Sequence, residues 1–376
     1  MKTLVIDASV CNKKRNLSFF TYLNDLLNYF HAHRGEIRFD KIILACGESE
    51  YDSFQRYNDK FDVIPLDCSS NIKKLLYQRK YWKMFNLSKD DLILWPGCFS
   101  STNKHCNHLL VMHDLLYLRK DLAKTLPLSW KLHRILLYPR SVKMADKVIS
   151  ITKWVKEDII NNYKVKNTEK IVPIYNYSDF RKYKYAGVDR KSIDHIGENG
   201  LVIPDDYFLV VSQDYYHKNI ITVIKAFEKY AERNKDCKLV LVSRLSQERK
   251  DYISSLGESI KSRILVYKGI SDDDLSKLYR CTKAFIMATM FEGMGVPFIE
   301  AMYHGVRLVS SNIEVAKEVT NGKAVYFNPT DADELCDILE HIEDYPEPGD
   351  CRAEIDETYG PANTCGRYIE VINTFA

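Results

Sequence analysis

The chain lacks any apolar run of membrane-spanning length. Its first residues, MKTLVIDASV, hold an apolar run too short for a signal peptide. These two absences read as a cytoplasmic protein without a membrane span. Ten cysteines are present, yet none form a CxxC pair or keep a regular spacing. That excludes a disulfide framework and fits free thiols in a reducing compartment. Cys98, His105, Cys106 and His108 lie close together, but their spacing matches no common zinc site, and loop or packing roles explain them more simply. No Asp-x-Asp pair stands at a suitable strand end, and Gln213 and Asp214 offer no convincing magnesium site, so no metal is expected. Basic residues form no known nucleic-acid module, so nucleic acid is not expected as a partner. The loop 9–20 has no glycine.

What is present is an ordinary globular composition over 376 residues, long enough for two cores. The net charge of +3 hides an asymmetry. Residues 1–200 carry 34 Lys and Arg against 22 Asp and Glu, and the remainder 20 against 29. A basic first half and an acidic second half support two domains with different partners. Short apolar strands are expected at 2–7, 41–46, 61–66, 92–95, 109–112 and 147–151, with helical periodicity at 17–30 and 71–85. From 175 to 206 the chain is rich in Tyr and charge and holds no period, which reads as a connection plus an insertion. Alternation resumes with strands at 208–211, 239–242, 264–267 and 284–288, and helices at 220–233 and 272–280. Such alternation predicts parallel sheets covered by helices on both faces, with ligands at the carboxyl ends of the strands.

The chemistry concentrates in 291–318, FEGMGVPFIEAMYHGVRLVSSNIEVAKE. Glu292 opens it and Glu300 follows eight residues on. Gly293, Gly295 and Pro297 lie between them, and Pro297 suits the first position of a helix. The unit predicted is strand, turn, helix, strand, the last near 306–309. Amides at such a helix start favour an anion such as phosphate, and a carboxylate there can accept hydrogen bonds from sugar hydroxyls. A strand–helix joint with two solvated glutamates is the plainer alternative.

This stretch resembles the family-4 retaining glycosyltransferases, also called group 1, whose pattern is Glu-Gly-(Phe/Met)-Gly-x-Pro-x-x-Glu-Ala-Met. Glu292, Gly293, Gly295, Pro297, Glu300, Ala301, Met302, Gly305 and Asn312 fall in register with it. The resemblance implies the GT-B fold: α/β, two Rossmann-like doubly wound domains facing across a cleft. The boundaries it suggests are 1–175 for the acceptor-side domain, 176–206 for a linker and insertion, and 207–355 for the nucleotide-sugar domain. Residues 356–376 would hold a helix, 362–374, that crosses back to the first domain.

Other positions follow from the same resemblance. In 207–227, Lys218 matches the family lysine that faces the donor diphosphate, where an ammonium would stabilise the departing charge. His217 stands where Arg is common and Ser212 where glycine is common, so the clamp would use either a partly protonated His217 or another cation such as Arg244. A solvated loop lysine remains the alternative for Lys218. His113, at the end of an apolar strand, matches the active-site histidine, with Asp114 beside it as a loop holder or ligand. Thr152 would cap a helix, with or without facing the cleft. Lys268, Gly269 and Ile270 fall where the base is held through backbone contacts, and Phe291, Met294 and Val296 complete the donor loop with Glu292, Gly293, Gly295 and Glu300. In the glycine-free loop 9–20, Lys13, Lys14 and Arg15 could grip phosphate or be solvated.

The activity implied is retaining, metal-independent transfer of a hexosyl group from a nucleotide-diphosphate sugar, by front-face attack, with no cofactor. His113, Glu292 and Lys218 would be the catalytic set. The acceptor implied is a glycan or a polyprenyl-pyrophosphate-linked glycan. Lys73, Lys74, Arg79, Lys80 and Lys83, interleaved with Tyr77, Tyr81 and Trp82, and the stretch around Trp130, Lys131, His133 and Arg134, are candidates for peripheral contact with an anionic membrane. A packed helix with a solvated basic face explains them equally. Two other readings stay open: another enzyme on this scaffold, such as an epimerase or a glycan phosphorylase, and a binding subunit with a decayed site.

Overall fold

The computed structural model describes every residue except Lys14, Arg15, Thr102 and Asn103, and every side chain except those and Asn71, Thr125 and Asn199. The chain divides into two compact units. Met1–Ser178 and Glu357–Ala376 form the first, and Asp179–Asp356 the second.

The first unit is built on a seven-stranded parallel sheet. Its strands are β1 (Thr3–Ala8), β2 (Lys41–Gly47), β3 (Asp62–Leu66), β4 (Leu92–Trp95), β5 (Asn107–Met112), β6 (Lys147–Ser150) and β7 (Ile171–Pro173). They lie in the order β3-β2-β1-β4-β5-β6-β7. β1 and β4 are buried at every residue, which fits a central strand covered on both faces. The second unit has six parallel strands: β8 (Tyr207–Val211), β9 (Lys238–Val242), β10 (Ile264–Tyr267), β11 (Ala284–Met287), β12 (Leu308–Ser311) and β13 (Ala324–Phe327). Their order is β10-β9-β8-β11-β12-β13. Each sheet therefore reverses its strand order once, beside β1 and β4 in the first unit and beside β8 and β11 in the second. Ligands bind at the carboxyl ends of strands at such a switch point.

β7, β13 and the helices Glu314–Thr320 and Ala332–Glu340 were not legible as separate elements. The strand expected at 306–309 sits at Leu308–Ser311, after the helix Val296–Tyr303 has ended. The final segment is not one regular helix. A π-helical turn, Ala362–Gly366, precedes the α-helix Arg367–Asn373, and the Gly366 amide bonds the Pro361 carbonyl at 2.9 Å. This segment packs within the first unit. Tyr368 and Tyr22 share a hydroxyl hydrogen bond of 3.0 Å, and Asn373 bonds the backbone of Arg38 and Glu36 at 2.8 Å each.

The glycine-free loop after β1 is built by a carboxylate instead. Buried Asp7 accepts from the Ser9 amide at 3.1 Å, the Ser9 hydroxyl at 2.5 Å, Tyr81 Oη at 3.0 Å and Gln78 Nε2 at 2.7 Å. Burial pushes its pKa up, and the four bonds oppose that rise. Lys13 lies over the Phe20 ring at 5.8 Å, whereas Lys14 and Arg15 lie outside the described residues. This arrangement corrects the docking role considered for Tyr81, which is fully buried against Asp7. Trp82 stacks on His105 at 4.0 Å, and Lys73 is paired with Asp67.

The segment 179–206 is not a bare linker. It packs as part of the second unit, with Phe180, Tyr183, Ile193 and Ile203 buried. Its anchors are irregularly spaced because side chains of the helix Asp272–Cys281, rather than a repeating ladder, satisfy its backbone. Glu198 N–H donates to Asp274 at 3.1 Å, Lys277 Nζ to the Ile196 carbonyl at 3.0 Å, and Arg280 Nε to the Val188 carbonyl at 2.6 Å. A Cβ on Gly197 would stand 2.3 Å from Asp274 Oδ1.

His108 gives a pH prediction for the first unit. It is fully buried edge-on to Trp95, and among the described residues neither ring nitrogen has a hydrogen-bond partner. Burial lowers its pKa from 6.5 to about 4. The unfolded chain therefore binds the proton first as pH falls, so stability present above 6.5 is lost between 6.5 and about 4. His108→Phe removes that proton and should flatten the loss. Urea unfolding at pH 7.5 and 5 checks this, with a smaller difference expected in the variant.

Candidate active site

Three loops meet at the switch point of the second unit. The first, after β8, ends in the turn Tyr216–Lys218 and in Asn219, whose φ of +53° places it in the left-handed region. Asn219 Nδ2 donates to the carbonyls of Ala288 and Pro329, and its Oδ1 accepts from Thr222. The second loop, after β11, is tied to the first again at the His217 carbonyl. The His217 carbonyl accepts from the Met290 amide at 2.7 Å and from Thr289 Oγ1 at 3.1 Å. From β12, Ser311 Oγ donates to the carbonyls of Met287 and Thr289. Loop carbonyls that would otherwise be orphaned are thus satisfied, and the loops are fixed relative to one another.

This stitching brings Lys218 and Glu292 together. Lys218 Nζ donates to Glu292 Oε1 at 2.5 Å, with side chains 19% and 8% exposed. Gly295 then turns the chain into the helix Val296–Tyr303 with φ of +81°, and Pro297 stands in its first turn. A Cβ at Gly295 would lie 2.6 Å from the Phe298 ring, so both the backbone angle and the space require glycine. Phe291 and Met294 are buried and shape the loop, while Gly293 and Val296 are partly exposed. The His217 ring stacks parallel to Tyr215, at 5.8 Å between centroids.

Glu300 is placed differently. Its Oε1 accepts from Tyr183 Oη and its Oε2 from Tyr279 Oη, each at 2.7 Å. Burial first, then the Glu300 charge, raises both phenol pKa values, so both remain donors. Arg244 is exposed and makes no ion pair with a described residue. The cation that braces the loop is buried Arg249, 3.5 Å from Asp214 Oδ1. Asp214 Oδ2 also accepts from the Ser246 amide and hydroxyl at 2.9 and 2.6 Å, which links the loops after β8 and β9. Lys268 and Gly269 are exposed and Ile270 partly so, after the edge strand β10.

His113 lies in the first unit. Its Nε2 is 2.8 Å from the Pro96 carbonyl, which can only accept, so Nε2 carries the proton. Burial lowers its pKa, and the ring is neutral with Nδ1 as an acceptor. Tyr22 and Phe19 pack edge-on against it, with centroids at 4.9 and 5.5 Å. Asp114 Oδ1 accepts from the Leu116 amide at 2.9 Å and so holds its loop. Thr152 caps the helix Lys153–Tyr163 and is fully buried. Among the described residues no three His, Cys, Asp or Glu side chains cluster as a metal site. All ten cysteines are free thiols.

Sequence reasoning missed Asn219, Arg249, Tyr183 and Tyr279. Only Asn219 left a signal: an Asn between a loop and a helix is a common left-handed residue. Tyr183 and Tyr279 are 117 and 21 residues from the carboxylate they hold.

The full chain superposes on a glycosyltransferase from Rickettsia africae with a TM-score of 0.69 at 14% identity, covering 100% of this chain and 98% of that one. HepE from Anabaena, solved with UDP and glucose, gives 0.68 at 12%, with both chains covered in full. The fold is therefore GT-B, α/β with two doubly wound parallel sheets. Residues 194–357 match the family described as glycosyl transferases group 1. Curated relatives include the O-antigen chain mannosyltransferase RfbU of Salmonella typhimurium, 29% identical over 219 residues, 56% of this chain and 55% of the relative. The serotype-specific mannosyltransferase WbdA of Escherichia coli is 31% identical over 142 residues, 37% of this chain and 17% of WbdA. The chain thus spans about half the length of the first relative and less of the second.

The buried pair predicts a coupled stability effect. Lys218→Met leaves the Glu292 carboxylate without its cation and should destabilise by about 3 kcal/mol. Adding Glu292→Gln should recover part of that loss, with a coupling of roughly 1–3 kcal/mol in a double-mutant cycle of urea unfolding.

Proposed function

We propose that the protein is a retaining glycosyltransferase that moves a hexosyl group, mannose on the strength of its relatives, from a nucleoside-diphosphate sugar to a glycan or a lipid-linked glycan. The observation that carries this reading is the Lys218–Glu292 pair at the switch point of a unit matching the group 1 family. A departing diphosphate gains negative charge as the glycosyl bond breaks. Lys218 supplies a fixed cation for it, and the start of the helix Val296–Tyr303 supplies amide donors. Glu292, held by Lys218, has a second oxygen to accept from sugar hydroxyls. His113, neutral and with Nδ1 as acceptor, is suited to a hydroxyl of the transferred sugar.

In a retaining transfer the acceptor attacks on the face the phosphate leaves. The new glycosidic bond forms as the bond to phosphate breaks, and the departing phosphate oxygen takes the acceptor's proton. Glu292 acts by holding the sugar, not by forming a covalent intermediate, because its bond to Lys218 lowers its nucleophilicity. The diphosphate charge is met by Lys218 and amides, and no metal takes part.

The acceptor side is a membrane surface in this reading. The helix Leu128–Met144 exposes Leu128, Leu132, Ile135 and Leu136, which share one face at spacings of three and four residues, among Lys131, Arg134 and Arg140, while exposed Trp130 lies off that face. Such an apolar face with a basic flank suits an anionic bilayer. Among the described residues no helix is long and apolar enough to cross a membrane.

Transfer from a panel of nucleotide sugars, GDP-mannose included, to lipid extract tests the activity. Glu292→Gln and Lys218→Ala should each lower kcat at least a hundredfold, and EDTA should leave the rate unchanged. Unchanged rates in both variants, or loss of activity with EDTA, would refute the assignment of these roles. Leu132→Glu with Ile135→Glu should release the protein from vesicles containing anionic lipid, read by co-sedimentation, and equal binding by the variant would refute the membrane contact.

A further inference from the structure

β4 ends at Trp95, opposite Leu110 of β5, and Pro96 follows it. β5 runs on to Met112, so the His113 amide emerges beyond the last paired residue of β4. An amide left there without an acceptor would be costly. The Pro96 carbonyl does not serve it, because that carbonyl accepts from His113 Nε2 at 2.8 Å. A side chain fills the gap: the His113 amide donates to Cys98 Sγ at 3.2 Å. The Cys98 amide in turn donates to the Val111 carbonyl at 3.0 Å. The turn 96–98 is thus bonded to the end of β5 through the His113 ring, the His113 amide and the Val111 carbonyl.

This turn takes an uncommon backbone. Cys98 has a φ of +65°, in the left-handed region that glycine and asparagine favour. A cysteine stays there only when its surroundings hold it. Cys98 is buried, and burial pushes its thiol pKa up to about 12, so the sulfur belongs to a neutral thiol and can accept. On its other side the turn backs onto the loop after β1. A Cβ on Gly97 would stand 3.1 Å from Val10 Cγ2, which leaves little room to shift that way. Tyr22 and Phe19 pack edge-on against the His113 ring and set its place. They do not decide which nitrogen carries the proton. Among the described residues the Pro96 carbonyl is the ring's one hydrogen-bond partner, and it makes that choice.

We infer that Cys98 is a positioning residue for His113. Its sulfur and its left-handed backbone hold the Pro96 carbonyl against Nε2. The proton stays there, and Nδ1 is kept as the acceptor for a hydroxyl of the transferred sugar. The use of Nδ1 toward a sugar rests on the transferase reading, whereas the hold on the ring does not.

The test compares wild type with Cys98→Ala, Cys98→Gly and Cys98→Ser. One readout is the nitrogen NMR spectrum of histidine-labelled protein at neutral pH, with the His113 ring assigned against His113→Asn. The other is kcat and KM for transfer from whichever nucleotide sugar wild type uses. Wild type should show one neutral tautomer, protonated at Nε2. Ala and Gly both remove the sulfur, and Gly also relieves the backbone. Each should give a mixture of tautomers and a kcat lowered about tenfold, with KM little changed. Ser keeps an acceptor and should restore the single tautomer and most of the rate. A single Nε2–H tautomer with wild-type kcat in Ala and Gly overturns the inference. So does an equal loss of rate in all three variants with the tautomer unchanged, which is what a purely structural role produces. If Ala fails to fold, Gly against Ser makes the same comparison. Should wild type transfer no sugar, the transferase reading fails, and the tautomer spectra still decide whether Cys98 governs the ring.

Discussion

A parallel sheet buried on both faces must return each strand by a crossover, usually a helix, so all of its strands end along one edge. That constraint organises each unit of this protein. In the second unit it sends the loops after β8, β11 and β12 to one place, where the strand order reverses. Lys218 and Glu292 are 74 residues apart and meet only because those loops are neighbours there. The site is a consequence of the sheet topology, and chemistry is then written onto its loops.

Holding that pair together has a physical cost. Two mostly buried charges lose hydration, and their attraction offsets the loss only if geometry is maintained. Maintenance falls largely to uncharged groups. The His217 carbonyl takes two donors from the neighbouring loop, Asn219 bridges two more carbonyls, and Ser311 reaches across from β12. Arg249 and Asp214 brace the same loop from the side of β9. The conserving of rigidity by backbone bonds lets the two charged side chains remain available to a ligand. The same division recurs at Glu300, where two phenols hold the carboxylate plane without neutralising its charge.

Much of this was legible in the sequence because it is local. β8 and the helix Ile220–Arg233 follow from an apolar run and helical periodicity, and Gly295 and Pro297 mark the turn before the helix Val296–Tyr303. The carboxylate at 292 and the lysine at 218 stand in a recognisable register. What was not legible depends on distant partners. The loop 9–20 lacks glycine, and nothing near it shows that Asp7, Gln78 and Tyr81 would build it instead. Arg244 was the visible cation after β9, yet the buried one is Arg249, whose role depends on Asp214 in another loop. The segment 179–206 has no period because its bonds run to the helix Asp272–Cys281, so its pattern is written partly in that helix. β13 is short and only half-buried, with a weak apolar signal.

The central claim is that the loops around Lys218 and Glu292 receive a nucleoside diphosphate. Thermal unfolding of wild type and Lys218→Ala against GDP, UDP, ADP and their sugar conjugates, with and without EDTA, tests it most directly. A ligand that binds only the folded protein raises the midpoint by mass action. The account predicts a rise for wild type with one diphosphate family, unaffected by EDTA and largely lost in Lys218→Ala. A rise of equal size in the variant, or none with any nucleotide in wild type, would contradict it.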